Sequence, residues 1–168
     1  NPNNPTSTAI TCGQMRRILD ACLQYGIFVM VDETYVEFAP GEADITCVPL
    51  TNYYTNLIIL RGTSKFFAAP GLRLGYAVTG NQDLIKAINT RKNPWTINSL
   101  AEIAGRLMFP DEEYIRLTRE LISSERNRMF QELSGWDSVK VYQPMANFML
   151  VRIRKPDVSS QDLFDHCI

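Results

Sequence analysis

The amino-acid sequence predicts an α/β fold with a mostly parallel sheet, followed by the start of a smaller α+β unit. Two short runs, residues 27–31 and 57–60, are apolar throughout, which is typical of strands buried on both faces of a parallel sheet. An amphipathic helix precedes the first run, and after Trp136 the pattern changes to strand, strand and helix. We therefore expect residues 1–110 to belong to the larger unit and residues 111–168 to a bridging helix and the smaller unit.

The first helix has clear signals at both ends. Thr11 is expected to cap its start, with Gln14 as the capping-box partner. From Met15 onward apolar residues recur at i, i+3, i+4, i+7 and i+8, and Gly26 supplies a left-handed stop. After the first strand, residues 36–54 contain prolines and a glycine and are predicted to be a loop.

A third strand is predicted over residues 74–78. Only about ten residues separate it from the second strand, whereas a parallel crossover needs a dozen or more. We therefore expect these two strands to be antiparallel or not to be direct neighbours.

The second half of the chain is predicted to be mainly helical. Each predicted helix follows a polar side chain that can cap its start, and the charges of the longest one indicate a solvated face. The predicted elements are helices from Asn81 or Asp83 to Ile88, from Asn98 or Ser99 to Met108 and over 112–134, strands over 139–141 and 148–151, and a helix from near Ser160.

The composition is that of a globular protein with an ordinary core. Of the 168 residues, 45% are hydrophobic and 21% are charged, which is enough to bury an apolar interior. The formal net charge of −1 disfavours nucleic acid and anionic membrane surfaces as partners. No apolar run approaches the roughly 20 residues that span a bilayer. The four cysteines, none in a C-x-x-C pair, indicate reduced thiols of a cytoplasmic protein.

The residue types argue against several kinds of chemistry. His166 is the single histidine, which argues against Ser-His-Asp and Cys-His catalysis. Four cysteines are present without a C-x-x-C pair, so we expect reduced thiols and no metal site. Any chemistry must then come from lysine, carboxylate, tyrosine or a cofactor.

Polar residues follow the first two strands directly. Asp32 and Tyr35 come after the first strand, where open α/β sheets place groups that contact ligands. The alternative is that Asp32 only caps the next turn. After the second strand, small residues surround Lys65, and Arg73 follows eight positions later. Such a loop can hold a phosphorylated cofactor, with Arg73 as a phosphate donor, although most loop lysines are solvated surface charges.

Three motifs occur in order along the chain. N-P-N-N-P-T occupies residues 1–6, V-D-E-T-Y residues 31–35, and G-T-S-K-F-F-A-A-P-G-L-R-L-G residues 62–75. With these motifs the chain resembles the class I/II aminotransferase family of fold type I, whose cofactor is pyridoxal 5'-phosphate. The resemblance covers nearly the whole chain. It implies an internal fragment of a homodimeric enzyme with a three-layer α/β/α fold, in which residues 1–110 are the C-terminal half of the large domain.

The resemblance implies three catalytic residues. Lys65 looks like the lysine that forms a Schiff base with the cofactor aldehyde. Asp32 looks like the acid that pairs with the pyridine nitrogen, where it keeps the ring able to take up electrons. Tyr35 looks like a donor to the ring phenolate oxygen.

Further binding residues follow from the same resemblance. Asn4 looks like a second donor to the phenolate oxygen, and Ser64 and Arg73 look like phosphate ligands. Asn4 and Asn147 are candidates for substrate contact, although Asn4 can instead stabilise a turn and Asn147 can be a polar residue at a strand end.

Two positions depart from the family pattern. Many members carry Ser or Thr three residues before the lysine, where this chain has Gly62 with Thr63 beside it. The family loop N-P-T-G reads N-P-T-S here, with Ser7 in place of the glycine, and this substitution is expected to alter the turn.

Two segments, residues 65–76 and 94–101, look closest to the threonine-phosphate decarboxylases of cobalamin synthesis, with the histidinol-phosphate aminotransferases as near neighbours. Both act on phosphorylated small molecules that resemble amino acids. In the family, an arginine beyond the position of Ile168 holds the substrate carboxylate and selects which bond breaks. Because of the two segments, the sequence favours the decarboxylase, with the aminotransferase as the alternative. A fragment without activity of its own is a third interpretation.

Overall fold

Parallel and antiparallel pairing meet in the main sheet. The computed structural model describes residues 1–168 apart from the side chain of Ala43. Strands β1 (Val29–Asp32), β2 (Leu57–Gly62) and β3 (Gly75–Val78) lie in the order β1-β2-β3. β1 and β2 are parallel, and β2 and β3 are antiparallel. The expectation for the third strand is confirmed, because a short connection cannot return a parallel strand.

One face of this sheet forms the core against helix α1 (Cys12–Gln24). The predicted capping box between Thr11 and Gln14 is present, and Gly26 has the predicted left-handed backbone with φ of 66°. The helix buries Met15 and Leu19, whereas Ile18 and Leu23 of the same apolar stripe are 43% and 49% exposed. The core consists of Met15, Leu19, Val31, Cys47, Leu50, Tyr54, Leu57 and Ile59.

The first strand is less buried than its apolar sequence predicts. Val31 is buried, but Met30 on the opposite face is 66% exposed. Side chains alternate between the two faces of a strand, so within the described chain β1 has one covered face and one open face. The apolar run identified the strand correctly and overestimated its burial.

The connection between β1 and β2 is not the plain loop that was predicted. It contains two short 3-10 helices, Val36–Phe38 and Val48–Asn52, and helix α2 (Glu42–Ile45). Val36, Phe38 and Leu50 are buried. Short helical turns bury these apolar side chains, of which Leu50 joins the core and Phe38 packs against Phe66. Proline and glycine at the segment's turns hid that pattern.

Three capped helices follow the sheet. Helices α3 (Gln82–Arg91), α4 (Ser99–Met108) and α5 (Glu112–Ser134) begin behind Asn81, Asn98 and Asp111, whose side chains each accept a backbone N–H of the first turn. α3 continues past the predicted end at Ile88.

Helix α5 contributes little apolar surface to the core. Its one residue classed as buried, among those described, is Arg126, while Leu117, Leu121 and Met129 are exposed. Within the described residues these three apolar side chains are therefore not part of the core.

The smaller unit begins after α5. Strands β4 (Val139–Val141) and β5 (Val151–Ile153) are antiparallel, and helix α6 (Ser160–Cys167) starts behind Ser159. β5 starts later than the predicted residue 148, because residues 144–147 turn away to contact the N-terminal loop. The proposed division at residue 110 stays a prediction. No helix in the described part of the chain has the length and apolarity to cross a membrane.

Gly80 is required by a close backbone contact. A Cβ at this position would lie 2.1 Å from the carbonyl oxygen of Thr51, whereas at Gly71 it would meet nothing within 4 Å. We expect Gly80→Ala to lower the free energy of unfolding by about 2 kcal/mol, because backbone must move, and Gly71→Ala to change it by less than about 0.5 kcal/mol. Urea unfolding of both variants measures the difference, and equal stabilities would contradict it.

Candidate active site

Four of the predicted site residues line one cavity at the carboxyl ends of β1 and β2. Asn4, Asp32, Tyr35 and Lys65 all face this cavity, whose volume is about 810 Å³. Asp32 is the last residue of β1, and Lys65 follows the end of β2. The parallel pairing of the two strands brings both ends to the same edge of the sheet, so an amine, a carboxylate, a phenol and an amide meet there.

Asp32 takes part in the turn that follows it. Its Oδ1 accepts the backbone N–H of Thr34 at 2.9 Å and also the Thr34 hydroxyl. The turn-capping interpretation is therefore correct as far as it goes. In the described residues these bonds engage Oδ1, which leaves Oδ2 of the exposed carboxylate for a ligand in the cavity.

Tyr35 contacts two of the other predicted site residues, Asn4 and Lys65. Its hydroxyl accepts a hydrogen bond from Asn4 Nδ2 at 3.2 Å. The Lys65 Nζ lies 5.9 Å from the centre of its ring. Phe148, from the smaller unit, packs edge-to-face against the same ring with 5.0 Å between centroids.

The loop that carries Lys65 is anchored from beneath. Lys65 is exposed, but the adjacent Phe66 is only 2% exposed and packs against Phe38 at 5.2 Å between centroids. The Tyr114 hydroxyl of α5 donates to the carbonyl oxygen of Phe66 at 3.0 Å. These contacts fix the backbone at Phe66, the residue that directly follows Lys65.

Ser64 and Arg73 lie beside the main cavity and not in its lining. They share a second cavity of about 220 Å³ with Gly62 and Gly75. Arg73 has a left-handed backbone with φ of 55°, and its Nη1 donates to the Pro70 carbonyl at 3.2 Å. The two predicted phosphate ligands are thus brought together, next to the loop of Lys65.

The structure accounts for both departures from the family pattern. The Thr63 hydroxyl is fully buried and donates to the Leu74 carbonyl at 3.1 Å, so it does not replace the hydroxyl missing at Gly62. Ser7 adopts φ of 58°, the left-handed conformation that glycine favours. Ser7 thus adopts a conformation open to glycine, and the expected change of the turn relative to the family stays a prediction.

Asn147 does not line either of these two cavities. It is exposed, between buried Ala146 and the Phe148 that contacts Tyr35. Its role in substrate contact stays a prediction.

An ion pair beneath the site was missed at the sequence level. Glu33 is fully buried, and its Oε2 accepts from Arg61 Nη2 at 2.8 Å and Nε at 3.0 Å. The Cys47 backbone and the Thr46 hydroxyl also donate to it. The register that pairs Asp32 with Leu60 places Glu33 beside Arg61, and the sequence alone does not provide that register.

Glu37 extends this charged cluster. Its carboxylate lies 3.8 Å from Arg61 Nη1, and its Oε2 is buried without a hydrogen-bond partner among the described residues. Burial raises the pKa of Glu37 to about 7; Arg61 opposes the shift, and the charges of Glu42 and Glu33 add to it.

Comparisons with known proteins agree with this geometry. Residues 1–168 match the family described as aminotransferase class I and II. Histidinol-phosphate aminotransferase of Thermoanaerobacter pseudethanolicus is 38% identical over 168 residues, which are 100% of this chain and 45% of that protein. Threonine-phosphate decarboxylase of Salmonella typhimurium is 31% identical over 160 residues, which are 95% of this chain and 43% of that protein.

A solved structure matches the fold directly. The crystal structure of the histidinol-phosphate aminotransferase from Clostridium acetobutylicum aligns with a TM-score of 0.92 at 33% identity, over 99% of this chain and 49% of that one. The predicted partial α/β domain is confirmed. The chain spans about half the length of the relatives it matches.

The pKa of Glu37 gives a test of the charged cluster. Folding raises the pKa of Glu37 from its ordinary value of 4.5 to about 7. The folded state therefore keeps the proton to higher pH than the unfolded chain does. The resulting stabilisation is complete below the unfolded pKa and is lost as pH rises through the folded one. Between about pH 5 and about pH 8 we expect the free energy of unfolding to fall by roughly 2 kcal/mol more in the wild type than in Glu37→Gln.

Urea unfolding of both proteins across this range measures that difference. The other ionisable groups are common to the two proteins, so Glu37→Gln serves as the control for their titration. Parallel stability profiles would contradict the raised pKa.

Proposed function

Because the chain belongs to the aminotransferase class I and II family, we propose that it forms the lysine-bearing part of a pyridoxal 5'-phosphate enzyme. The observation that carries the proposal is the single cavity lined by Lys65, Asp32 and Tyr35. In this proposal residues 1–110 belong to the cofactor-binding large domain, and residues 111–168 to the bridging helix and the small domain.

The residues of the cavity fit the cofactor chemically. When bound, the cofactor supplies an electron-accepting ring that stabilises negative charge on the substrate Cα. Lys65 would hold it covalently through its exposed amine. The Asp32 carboxylate, through Oδ2, would hold a proton at the ring nitrogen, and Tyr35 with Asn4 would donate to the ring oxygen.

Ser64 and Arg73 are the proposed phosphate ligands. The planar guanidinium of Arg73 can donate two parallel hydrogen bonds to phosphate, and the Ser64 hydroxyl lines the same cavity of about 220 Å³. These contacts would contribute binding and orientation of the cofactor.

For the reaction, we favour decarboxylation of L-threonine O-3-phosphate, as in cobalamin biosynthesis. The motif resemblance and the threonine-phosphate decarboxylase of Salmonella typhimurium support this choice. The second candidate is transamination of histidinol phosphate, supported by the aminotransferases from Thermoanaerobacter pseudethanolicus and Clostridium acetobutylicum. In either case Asn4 and Asn147 are the proposed substrate contacts, and the proposed working form is a cytoplasmic homodimer.

The covalent role of Lys65 has a spectroscopic test. Full-length protein with added pyridoxal phosphate is expected to show a visible absorbance band that borohydride abolishes, because a Schiff base is reduced by that reagent. Lys65→Ala should lose the band. Lys86→Ala, which removes an exposed lysine of α3, should keep it. A full-length wild type without the band would contradict the enzyme proposal.

The choice of reaction is tested by products. The decarboxylase proposal predicts CO₂ release from threonine phosphate and no glutamate formation from histidinol phosphate and 2-oxoglutarate. Stoichiometric formation of pyridoxamine phosphate from amine donors would contradict the decarboxylase and support the aminotransferase. A holoenzyme that is active in neither assay would contradict both substrates.

A further inference from the structure

We propose that Phe148 is a positioning residue for Tyr35, and that the Ser7 hydroxyl determines where Phe148 lies. The proposal rests on the proposed function, in which Tyr35 faces the cofactor. It is carried by the contacts of Ser7 and Arg126 with Ala146 and by the contact of Phe148, two residues later, with Tyr35.

Ser7 holds the backbone N–H of Ala146. Its side chain is fully buried, and its Oγ accepts the backbone N–H of Ala146 at 2.9 Å and that of Met145 at 3.0 Å. The Met145 N–H is also 2.9 Å from the Ser7 carbonyl oxygen. A buried N–H without an acceptor is costly, so the hydroxyl ties residues 145 and 146 to the loop that carries Asn4.

Arg126 holds the carbonyl side. Its guanidinium is buried in α5, and Nη1 donates to the Phe38 carbonyl at 2.6 Å and the Ala146 carbonyl at 3.4 Å. Phe38 lies in the turn that directly follows Tyr35. Ala146 is thus held through both its N–H and its carbonyl oxygen, and Arg126 also contacts the segment that follows Tyr35.

Phe148 then reaches the site. Phe148 lies two residues after Ala146. Its ring packs against the Tyr35 ring with an interplanar angle of 84° and 5.0 Å between centroids, a favourable edge-to-face arrangement. Asn4 contacts the Tyr35 hydroxyl, and Lys65 lies over the ring. Phe148 therefore restricts the rotation of the tyrosine whose hydroxyl both Asn4 and the proposed cofactor would share.

The backbone at Ser7 supports a role for the hydroxyl itself. A φ of 58° is disfavoured for every residue with a side chain. Glycine would adopt this conformation without strain and would leave the Ala146 N–H without its acceptor. The hydroxyl thus supplies a contact that the more permissive residue cannot make.

A double-mutant cycle tests whether Ser7 acts through Phe148. In the full-length holoenzyme, Ser7→Gly and Phe148→Leu are each expected to lower kcat roughly tenfold or more, with KM nearly unchanged, because a misplaced group loses orientation. The double variant should be no slower than the slower single variant. Effects of residues that act through one another do not multiply, whereas independent ones do.

A matched cycle provides the control. Ser7→Gly combined with Ser64→Ala, on the proposed phosphate side, should give multiplied effects. Ser7→Ala removes the hydroxyl and keeps a Cβ, and it serves where the glycine variant does not fold. Multiplied effects of Ser7→Gly and Phe148→Leu, or an unchanged kcat in either single variant, would overturn the proposal.

A readout independent of turnover separates this proposal from the proposed function. Protein labelled with fluorotyrosine gives a fluorine NMR signal for Tyr35, assigned by its loss in Tyr35→Phe. Ser7→Gly and Phe148→Leu should both move this signal, and Ser124→Ala, an exposed serine of α5, should not. An unmoved signal overturns the positioning by Ser7 and Phe148 even in an active enzyme. If the signal moves but the protein does not bind the cofactor, the positioning of Tyr35 stands and the missing cofactor binding contradicts only the proposed function.

Discussion

The buried ion pair between Glu33 and Arg61 is the constraint on which the site depends. Glu33 directly follows Asp32, and Arg61 lies near the end of β2, shortly before Lys65. A charge pair out of water is tolerated only with close geometry, and losing one partner costs about 3–5 kcal/mol. The pair therefore adds a side-chain contact to the backbone pairing of β1 and β2. Together they hold the strand ends next to which Asp32 and Lys65 lie.

At two places in the chain an exposed residue that lines the cavity is followed directly by a buried one. Asp32 and Lys65 are exposed, while the residue after each, Glu33 or Phe66, is almost completely buried. Each cavity residue thus gains a fixed backbone from its neighbour without being covered by it. Tyr35 differs, because it is held through its own ring by Phe148. This difference explains why a contact from the smaller unit bears on the site.

The sequence predicted the local features of the structure well. The capping box at Thr11, the strand runs and the polar residues at the strand ends follow from patterns a few residues long, and they place Asp32 and Lys65 correctly at one sheet edge. The contacts of Ser7 and Arg126 with Ala146 could not be predicted, because they depend on how distant segments pack. The burial of β1 was overestimated for a related reason: an apolar run identifies a strand, but its burial depends on what covers each face.

The antiparallel β2–β3 pair also bears on the order in which the site forms. Because β3 returns beside β2, Ser64, Lys65 and Arg73 are held in one hairpin whose ends pair Gly62 with Gly75. The Asn4–Tyr35 bond spans 31 positions of sequence and the Ser7–Ala146 bond 139. Loop closure costs more conformational entropy for the longer spans, and local contacts form faster during folding. The hairpin that carries Ser64, Lys65 and Arg73 is therefore the part that can assemble first, and the contact between Ser7 and Ala146 is the part expected to form last.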